Sequence, residues 1–511
     1  MNLLYKKPRH SGAGRNPEVD SSVVTMECKG FLNTSGIWIP ACAGMTLLLF
    51  SGCTVGPDYK RPDVTLPSSY SDAQQESNTA ETINHEWWKL YNDATLNELV
   101  DTTLRNNRDL QKTVAQIDEA EAFLTETGSS LFPEIDLGAS SNRARSSTLN
   151  AQPLPAGTPV ISNTNRLALS TSFELDFWGK LKRAKEGARA QLLGTRYAHD
   201  VVALTLAGAT TQAYFTLRSL DAQITLTEQT LASRDDALNV TKSRAKGGLA
   251  SELEVNQAQV VRSDAALQLN ELKRQRALVE HQLGLISGKL DLKIAAAPQS
   301  TLPTATQPPL GLPSTLIERR PDVRQAEQAL VAANAKIGYT KAAQLPTFTL
   351  TGNFGGQSQE LSDVLKGGAR VWSVGLGATL PIFDSGKYSA RTKETEAVQR
   401  QALASYQKAV ETAFKEVADA LTNVAQSSSA TTDLQTRADA ARNALRLSRL
   451  RYDAGYSNYL EVLDAQRNAN NAEQSLLQNQ QAQLLYSIDL MKALGGGWSE
   501  SDGTPMAQVK N

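Results

Sequence analysis

The sequence predicts a mixed α/β membrane protein built from an internally duplicated helix–strand–strand–long helix–helix repeat. Two observations support this fold class. Residues 244–259 align without gaps on residues 451–466, and the same offset of 207 superimposes residues 178–180 on residues 385–387. In each copy, a stretch of alternating apolar and polar side chains precedes a segment of more than sixty residues without proline. A repeat at a fixed offset indicates one structural unit that is used twice.

The duplication also predicts the domain boundaries. Seven positions are identical between the two aligned stretches, and Gly248 with Gly455 is one of these pairs. The chain should therefore comprise a signal or leader region, an N-terminal segment, the first repeat, a Pro-rich linker, the second repeat and a C-terminal tail. In that order, these parts are residues 1–52, 53–108, 109–288, 289–321, 322–495 and 496–511. The linker should lie at the middle level, or equator, of the molecule.

The N-terminus predicts export and a lipid anchor. Residues 30–52 carry no charge and end in a short apolar stretch with small residues directly before Cys53. This arrangement is similar to a bacterial lipoprotein signal, in which the cysteine after the cleavage box is acylated. The alternative is a free cysteine in a disordered leader. We expect lipidation of Cys53, which makes residues 53–108 a lipid-anchored segment.

Each copy should contain a long helix followed by a helix that runs back. Apolar residues spaced by seven, such as Leu403, Val410 and Val417, are typical of a helix with one packed seam. At ~1.5 Å per residue, such a helix reaches about 100 Å. Glycines mark the turns, and poor helix formers at residues 427–432 predict a weak point. The predicted helices are 180–246, 252–286, 387–454 and 460–494.

Before each hairpin, the period of the apolar residues changes from 3.6 to two. This alternation predicts strands with one apolar and one polar face. Strands of this kind either pack on a soluble core or face lipid in a membrane β-barrel, and no other segment is left to cover the apolar face. The predicted strands are 135–139, 166–177, 348–354 and 372–382.

Four strands cannot close a barrel, and lipid does not tolerate an open sheet edge. The chain must therefore oligomerise, and two copies would give eight strands whereas three would give twelve. The alternation places one set of side chains toward lipid, namely Leu169, Phe173, Val374 and Leu376. It places the opposite set toward water, namely Ser170, Glu174, Ser373 and Gly375.

The composition excludes several classes of protein. Lys and Arg total 52 against 53 Asp and Glu, so no basic surface for nucleic acid is indicated. Four scattered histidines, and cysteines confined to residues 28–53, argue against a zinc site or a disulfide framework. Ser243 and Lys246 have the spacing of penicillin-binding enzymes, but the partner motifs are missing. We expect no enzymatic activity, no cofactor and no metal.

Three stretches resemble the TolC-like outer-membrane efflux channels, and in particular the OprM-type lipoproteins. They are CTVGPDYKRP at 53–62, WW…LYND at 87–93 and RRPDVRQAEQALVAANAKIG at 319–338. The resemblance covers residues 53–495. It implies a homotrimer whose twelve-stranded outer-membrane β-barrel continues into a twelve-helix periplasmic α-barrel. The implied partners are outer-membrane lipid, a periplasmic adaptor protein and an inner-membrane pump of the RND type.

The resemblance also implies where the channel closes. Members of the family close the periplasmic end with carboxylate rings and with bonds from Tyr and Arg at the matching turn. This implies a periplasmic gate formed by Tyr452, Glu461, Asp464 and Glu254. The residues alone leave a solvated helix start as the alternative, because carboxylates are favourable at a helix N-terminus. The two turns are candidate adaptor contacts: Gly247, Gly248, Leu249, Ala250, Ser251, Gly455, Tyr456, Ser457 and Asn458.

The predicted function is therefore the exit duct of a tripartite efflux pump for small molecules, located in the outer membrane and extending into the periplasm. A periplasmic structural coiled-coil protein with β-hairpin decorations is the alternative from a different class. Protein secretion through a related duct is the alternative within the same class. The lipoprotein-like start and residues 319–338 favour the efflux of small molecules.

Overall fold

The computed structural model describes residues 54–67, 85–147, 149, 157, 159–296, 302–303 and 319–498. These residues belong to one unit, Gly52–Asn511. Cys53 and the predicted leader lie outside the described residues, so the lipidation of Cys53 stays a prediction.

The described residues form seven α-helices and four strands in an order that repeats. Helix, strand, strand, long helix and returning helix follow one another twice, after a first short helix, so the predicted duplicated repeat is confirmed. The elements are α1 (Ala94–Asn106), α2 (Arg108–Ser129), β1 (Glu134–Arg145), β2 (Ile161–Leu175), α3 (Lys180–Lys246), α4 (Glu252–Ser287), α5 (Pro321–Ala342), β3 (Thr347–Ser358), β4 (Arg370–Thr379), α6 (Lys387–Asp453) and α7 (Tyr459–Ala493).

The two long helices have equal length and begin in the same way. Both α3 and α6 contain 67 residues. Gly179 and Gly386 precede them with φ values of 74° and 83°, a left-handed conformation that glycine adopts without steric cost. No helix in the described part of the chain is both long and apolar enough to cross a membrane.

The predicted weak point at residues 427–432 does not interrupt α6. The carbonyl oxygen of Ser427 accepts hydrogen bonds from the amides of Asn479 and Gln483, each at 3.1 Å. The same two amides donate to the Thr431 hydroxyl at 2.9 and 2.8 Å. Side chains of α7 therefore hold this stretch of α6 in place, which its low helix propensity alone would not do.

The sheet has the antiparallel order β1-β2-β3-β4. Leu169 lies opposite both Leu137 and Phe354, and Phe354 lies opposite Trp372. Because directly opposed residues share a face, these side chains form one apolar row across all four strands. The polar set lies on the other face, where Ser170 stands opposite Asn353 and Asn353 opposite Ser373. Apolar side chains of all four strands are exposed in the single chain, among them Leu137, Leu169, Phe354 and Trp372.

Two strands end earlier than the sequence pattern predicts. β2 stops at Leu175 because the Asp176 carboxylate turns toward α3 and accepts a hydrogen bond from the Lys182 nitrogen at 2.9 Å. β4 stops at Thr379, close to Pro381, which has no backbone N–H to donate. Within the described strands, β1 pairs with β2 alone and β4 with β3 alone. Both edges of the sheet are therefore open in the single chain.

The largest apolar core lies where the N-terminal segment meets the long helices. Trp87, in a 3-10 helix over Trp87–Tyr91, is buried with Tyr214 of α3 and Leu283 of α4. From the second repeat, α6 and α7 contribute further residues to the same cluster, including Ile488. This core joins both repeats to the N-terminal segment.

Candidate functional site

The two helical hairpins end in turns of the same geometry. Gly248 and Gly455 have φ values of 75° and 79°, so each turn requires the left-handed conformation. In each turn, the nitrogen after the glycine donates to the carbonyl oxygen five residues earlier, at 2.8 Å in both cases. This geometry exposes the next side chains, and 75% of Leu249 and 80% of Tyr456 is accessible.

The returning helices begin with matching caps. The Ser251 hydroxyl accepts a hydrogen bond from the Glu254 nitrogen at 3.3 Å, and the Asn458 amide oxygen accepts one from the Glu461 nitrogen at 3.1 Å. Each glutamate is the third residue of its helix, where a carboxylate is favourable to the free N–H groups. Capping therefore gives the acid side chains at these two predicted gate positions a structural role in their own helices.

The two predicted gate carboxylates of the second hairpin, Glu461 and Asp464, are each paired with an arginine. Arg451 of α6 donates from Nε to Glu461 Oε1 at 3.1 Å, which links the two helices across the turn. Arg467 donates to Asp464 at 2.8 Å, and both of these residues lie on α7. Glu461 therefore fastens the hairpin, whereas Asp464 is paired locally.

Tyr452 takes part in the site through its ring. The guanidinium carbon of Arg244 lies 4.8 Å from the centre of the Tyr452 ring, and the ring of Tyr459 lies 5.4 Å from it. A cation over an aromatic face is attracted by the ring quadrupole. The pKa of Tyr452 is raised above its usual value. Burial is the main cause, Glu254 adds to it, and the Arg244 guanidinium offsets only part of the rise. Tyr452, Arg244 and Tyr459 thus form one cluster, and Arg244 brings the first hairpin into contact with the second.

Sequence reasoning missed Arg244 and Tyr459 as parts of this site. Arg244 carried a usable signal, because it is identical to Arg451 in the self-alignment of the two repeats. Beneath the turns, Leu238, Ala258 and Val462 form a small buried cluster with Tyr459. The predicted gate residues therefore lie directly above packed apolar side chains that join the two hairpins.

Two of the stretches that carry the family resemblance bind each other. Residues 54–66, called the strap here, run along α5 and place Tyr59 in a cluster with Val323 and Tyr406. The side-chain amide of Asn334 donates to the Pro57 carbonyl at 2.9 Å. The strap is therefore attached to the second repeat as well as preceding the first.

The chain matches the model of one protein family in both repeats. The family is described as "Outer membrane efflux protein", and the match covers residues 99–289 and 312–496.

Several named relatives are similar to this chain over nearly their whole length. The probable efflux pump outer membrane protein SepC of Pseudomonas putida is 35% identical over 471 residues, which cover 89% of this chain and 96% of that protein. The toluene efflux pump outer membrane protein TtgF of Pseudomonas putida has the same identity and coverage. The outer membrane protein OprJ of Pseudomonas aeruginosa is 34% identical over 463 residues, which cover 89% of this chain and 95% of that protein.

Solved structures agree with the fold. The outer-membrane channel OprN superimposes with a TM-score of 0.81 at 28% identity, and the match covers 87% of this chain and 100% of the OprN chain. The open state of the MtrE outer membrane channel of Neisseria gonorrhoeae gives a TM-score of 0.78 at 28% identity, and the match covers 87% of this chain and 98% of the MtrE chain.

Proposed function

We propose a specific role from one premise: the chain belongs to the outer membrane efflux protein family. It is an outer-membrane channel of an efflux pump, as its relatives are. In our proposal, three copies assemble into one duct. The duct receives small molecules from an inner-membrane pump of the RND type through a periplasmic adaptor and releases them outside the cell. We assign the chain no catalytic step.

The open sheet is the observation that carries this proposal. Its four strands have one continuous apolar face, and the outer edges of β1 and β4 have no partner strand among the described residues. In the lipid core there is no water to bind the backbone N–H and C=O groups of an open sheet edge, so these groups must pair with another strand. Pairing β4 of one copy with β1 of the next satisfies both edges, and three copies then supply twelve strands.

The hairpin turns support two further parts of the proposal. Tyr452, Glu461, Asp464 and Glu254 lie at or near the turns, as a gate at the periplasmic end of the tube requires. The exposed Leu249 and Tyr456 offer apolar contacts to an adaptor protein. Glu254 and Glu461 also serve their own helices as capping residues, so the gate role adds to a structural one.

We also infer a lipid anchor and a class of substrate. Acylation of Cys53 would fix the start of the strap in the inner leaflet of the outer membrane. The described strap begins at the next residue, and its Val55 nitrogen donates a hydrogen bond to the carbonyl oxygen of Trp178, just before α3, at 3.0 Å. One relative is named for toluene efflux, which supports small apolar molecules as substrates.

The proposal is tested by imaging and by export. Electron microscopy of detergent-purified protein should show a tube with three-fold symmetry, and a monomer or a dimer would contradict it. Cells that lack their own efflux ducts should regain toluene tolerance when the chain is supplied with its adaptor and pump. The control for lipidation is Cys53→Ser, which should lose acyl labelling but keep the trimer, because the strands hold the barrel in the membrane.

A further inference from the structure

A cavity of about 200 Å³ lies between the two hairpins, among α3, α6 and α7. Its wall includes Arg234 of α3, Arg449 of α6 and Gln466 of α7. Arg234 is twelve residues from the end of α3, or ~18 Å at the rise of an α-helix. The cavity is therefore close to the turns, but it is distinct from the cluster around Tyr452 and Glu461.

Arg234 is a buried cation without a counterion among the described residues. Only 8% of its surface is exposed, and its Nη1 atom is buried with no hydrogen-bond partner. Among the described residues, none of the charges that act on Arg234 belongs to a carboxylate. Burial lowers the pKa of Arg234, the nearby Tyr459 hydroxyl opposes this in part, and the Arg449 guanidinium lowers the pKa further. Because a guanidinium nevertheless stays protonated in proteins, the charge remains and needs compensation.

The other charges of the wall do not supply that compensation. Arg449 donates to the Ser233 hydroxyl at 3.1 Å. Glu473 is the acidic residue of the wall, and Arg442 holds it at 2.7 Å while also donating to Asp439 at 2.6 Å. Three arginines thus face the cavity against one glutamate, and that glutamate is already engaged.

Two uncharged side chains of the wall are also unsatisfied. Gln466 Oε1 and Asn470 Oδ1 are buried and make no hydrogen bond. The oxygen and nitrogen of such an amide are assigned from their surroundings, so each group can equally present its NH₂ donor to the cavity. Buried polar groups in native proteins nearly always have hydrogen-bond partners. Three unsatisfied groups at one cavity, on Arg234, Gln466 and Asn470, therefore indicate a bound polar ligand.

We propose that this cavity binds a small inorganic oxyanion such as phosphate, with Arg234 as the main ligand. Arg449 adds positive charge, and the amides of Gln466 and Asn470 add donors. The planar guanidinium fork matches the spacing of two oxygens on one oxyanion. The cavity volume of about 200 Å³ also leaves room for such an ion. A bound oxyanion would join the first hairpin to the second within one protomer.

The test measures phosphate binding to the detergent-solubilised protein as purified. Sodium phosphate is titrated at constant ionic strength against sodium chloride, with calorimetry and the thermal unfolding midpoint as readouts. We expect saturable binding of phosphate and a rise of the midpoint. Arg234→Gln should weaken phosphate binding at least tenfold. It should also raise the midpoint in phosphate-free buffer, because an uncompensated buried charge has been removed. Arg437→Gln, at an exposed position of α6, should leave both readouts unchanged.

A second variant tests the same site without removing an arginine. Gln466→Glu places a carboxylate in the wall, where it can pair with the arginines. It should abolish phosphate binding and raise the midpoint in phosphate-free buffer. The proposal is overturned if phosphate and chloride act alike on the wild type, or if phosphate binding survives both substitutions. It is equally overturned if no phosphate binds at all, as when water or a carboxylate of a neighbouring subunit fills the cavity.

Discussion

Arg61 and Glu327, which are 266 positions apart in the chain, are joined by two hydrogen bonds, 2.7 Å from Nε to Oε1 and 3.0 Å from Nη2 to Oε2. The same carboxylate accepts bonds from the Tyr59 hydroxyl and from Arg324, both at 3.1 Å. The Glu327 side chain is only 5% exposed, whereas Arg61 is 41% exposed. The strap is thus anchored on one buried carboxylate of α5, and this anchor has measurable consequences.

Substituting Glu327 by glutamine should destabilise the protein. The amide keeps the shape but removes the negative charge that Arg61 and Arg324 share. Breaking a buried ion pair costs several kcal/mol, and the partial exposure of Arg61 reduces this to about 2–3 kcal/mol. Guanidinium unfolding in detergent, followed by helical circular dichroism, measures the change. The matched control is Glu271→Gln, whose exposed pair with Arg274 should contribute little. Equal effects of the two substitutions would contradict the anchoring role.

The contribution of Glu327 should also depend on pH. Burial by itself raises the pKa of Glu327, but Arg61, Arg324 and Tyr59 outweigh burial and hold this pKa below its usual value. A depressed folded-state pKa means that the stabilisation is present above the unfolded-state pKa, ~4.3, and is lost as the pH falls through the folded-state value. The difference in unfolding free energy between wild type and Glu327→Gln should therefore be constant from pH ~5.5 to 8 and shrink below pH ~4. A difference that grows toward acid pH would disprove this assignment.

Gly56 should tolerate no side chain. Its φ is 101°, and a Cβ there would lie 2.4 Å from the Cα of Gly338 on α5. Gly56→Ala should therefore cost about 2–4 kcal/mol, from backbone strain together with overpacking. The unfolding midpoint measures the loss, and limited proteolysis should cut the loosened strap sooner. Gly367→Ala is the control, because no heavy atom lies within 4 Å of its added Cβ. If both substitutions are neutral, the strap does not pack closely on α5.

The sequence predicted the elements well wherever one local rule determined them. The bounds of α3 match the prediction residue for residue, because Gly179 and Gly247 flank a long segment without proline. The strands were predicted less well. β1 extends to Arg145, well beyond the predicted 135–139, since pairing with β2 continues through polar residues that break the apolar alternation.

Contacts between distant segments could not be predicted from local pattern. Nothing in the strap has a helical or strand period, so its attachment to Glu327 required the folded chain. At the hairpin turns, the glycines predicted where the chain reverses, and Tyr452 and Glu461 lie on the two helices that flank Gly455. The contact of Arg244 with the Tyr452 ring depends on how two hairpins approach each other, which one-dimensional spacing does not specify. The isolation of Arg234 is likewise visible only after its neighbours are known.

The apolar row of the sheet predicts a sharp asymmetry between its two faces. Leu376 lies opposite Leu350 on the apolar face, and Ser373 lies opposite Asn353 on the polar face. In a membrane barrel, Leu376→Lys near the bilayer midplane should cost about 2–4 kcal/mol, whereas Ser373→Lys should fold normally and change the conductance instead. Heat-stable trimer in the outer-membrane fraction measures folding, and planar bilayers measure conductance. Equal tolerance at the two positions would contradict the barrel.

Closure of the tube should be weak enough for a docking partner to reverse. Arg451 and Glu461, the pair that crosses the second turn, are 57% and 43% exposed, and exposed pairs are worth little individually. Three-fold symmetry would repeat each contact three times, so one substitution in the gene would change three sites together. The combined effect can therefore be visible in conductance while each protomer keeps its fold.

The double substitution Glu461→Gln, Asp464→Asn should accordingly open the gate. It removes two carboxylates per protomer and releases Arg451 and Arg467 from their partners at 3.1 and 2.8 Å, which leaves the turn more positive. We expect a higher single-channel conductance in planar bilayers, or a weaker block by trivalent cations, with unchanged trimer stability. Asp419→Asn is the control, since it removes an exposed carboxylate on α6 that lies ~50 Å from the turn at the helical rise. If conductance and block both match the wild type, the constriction lies elsewhere and these carboxylates serve their helix start alone.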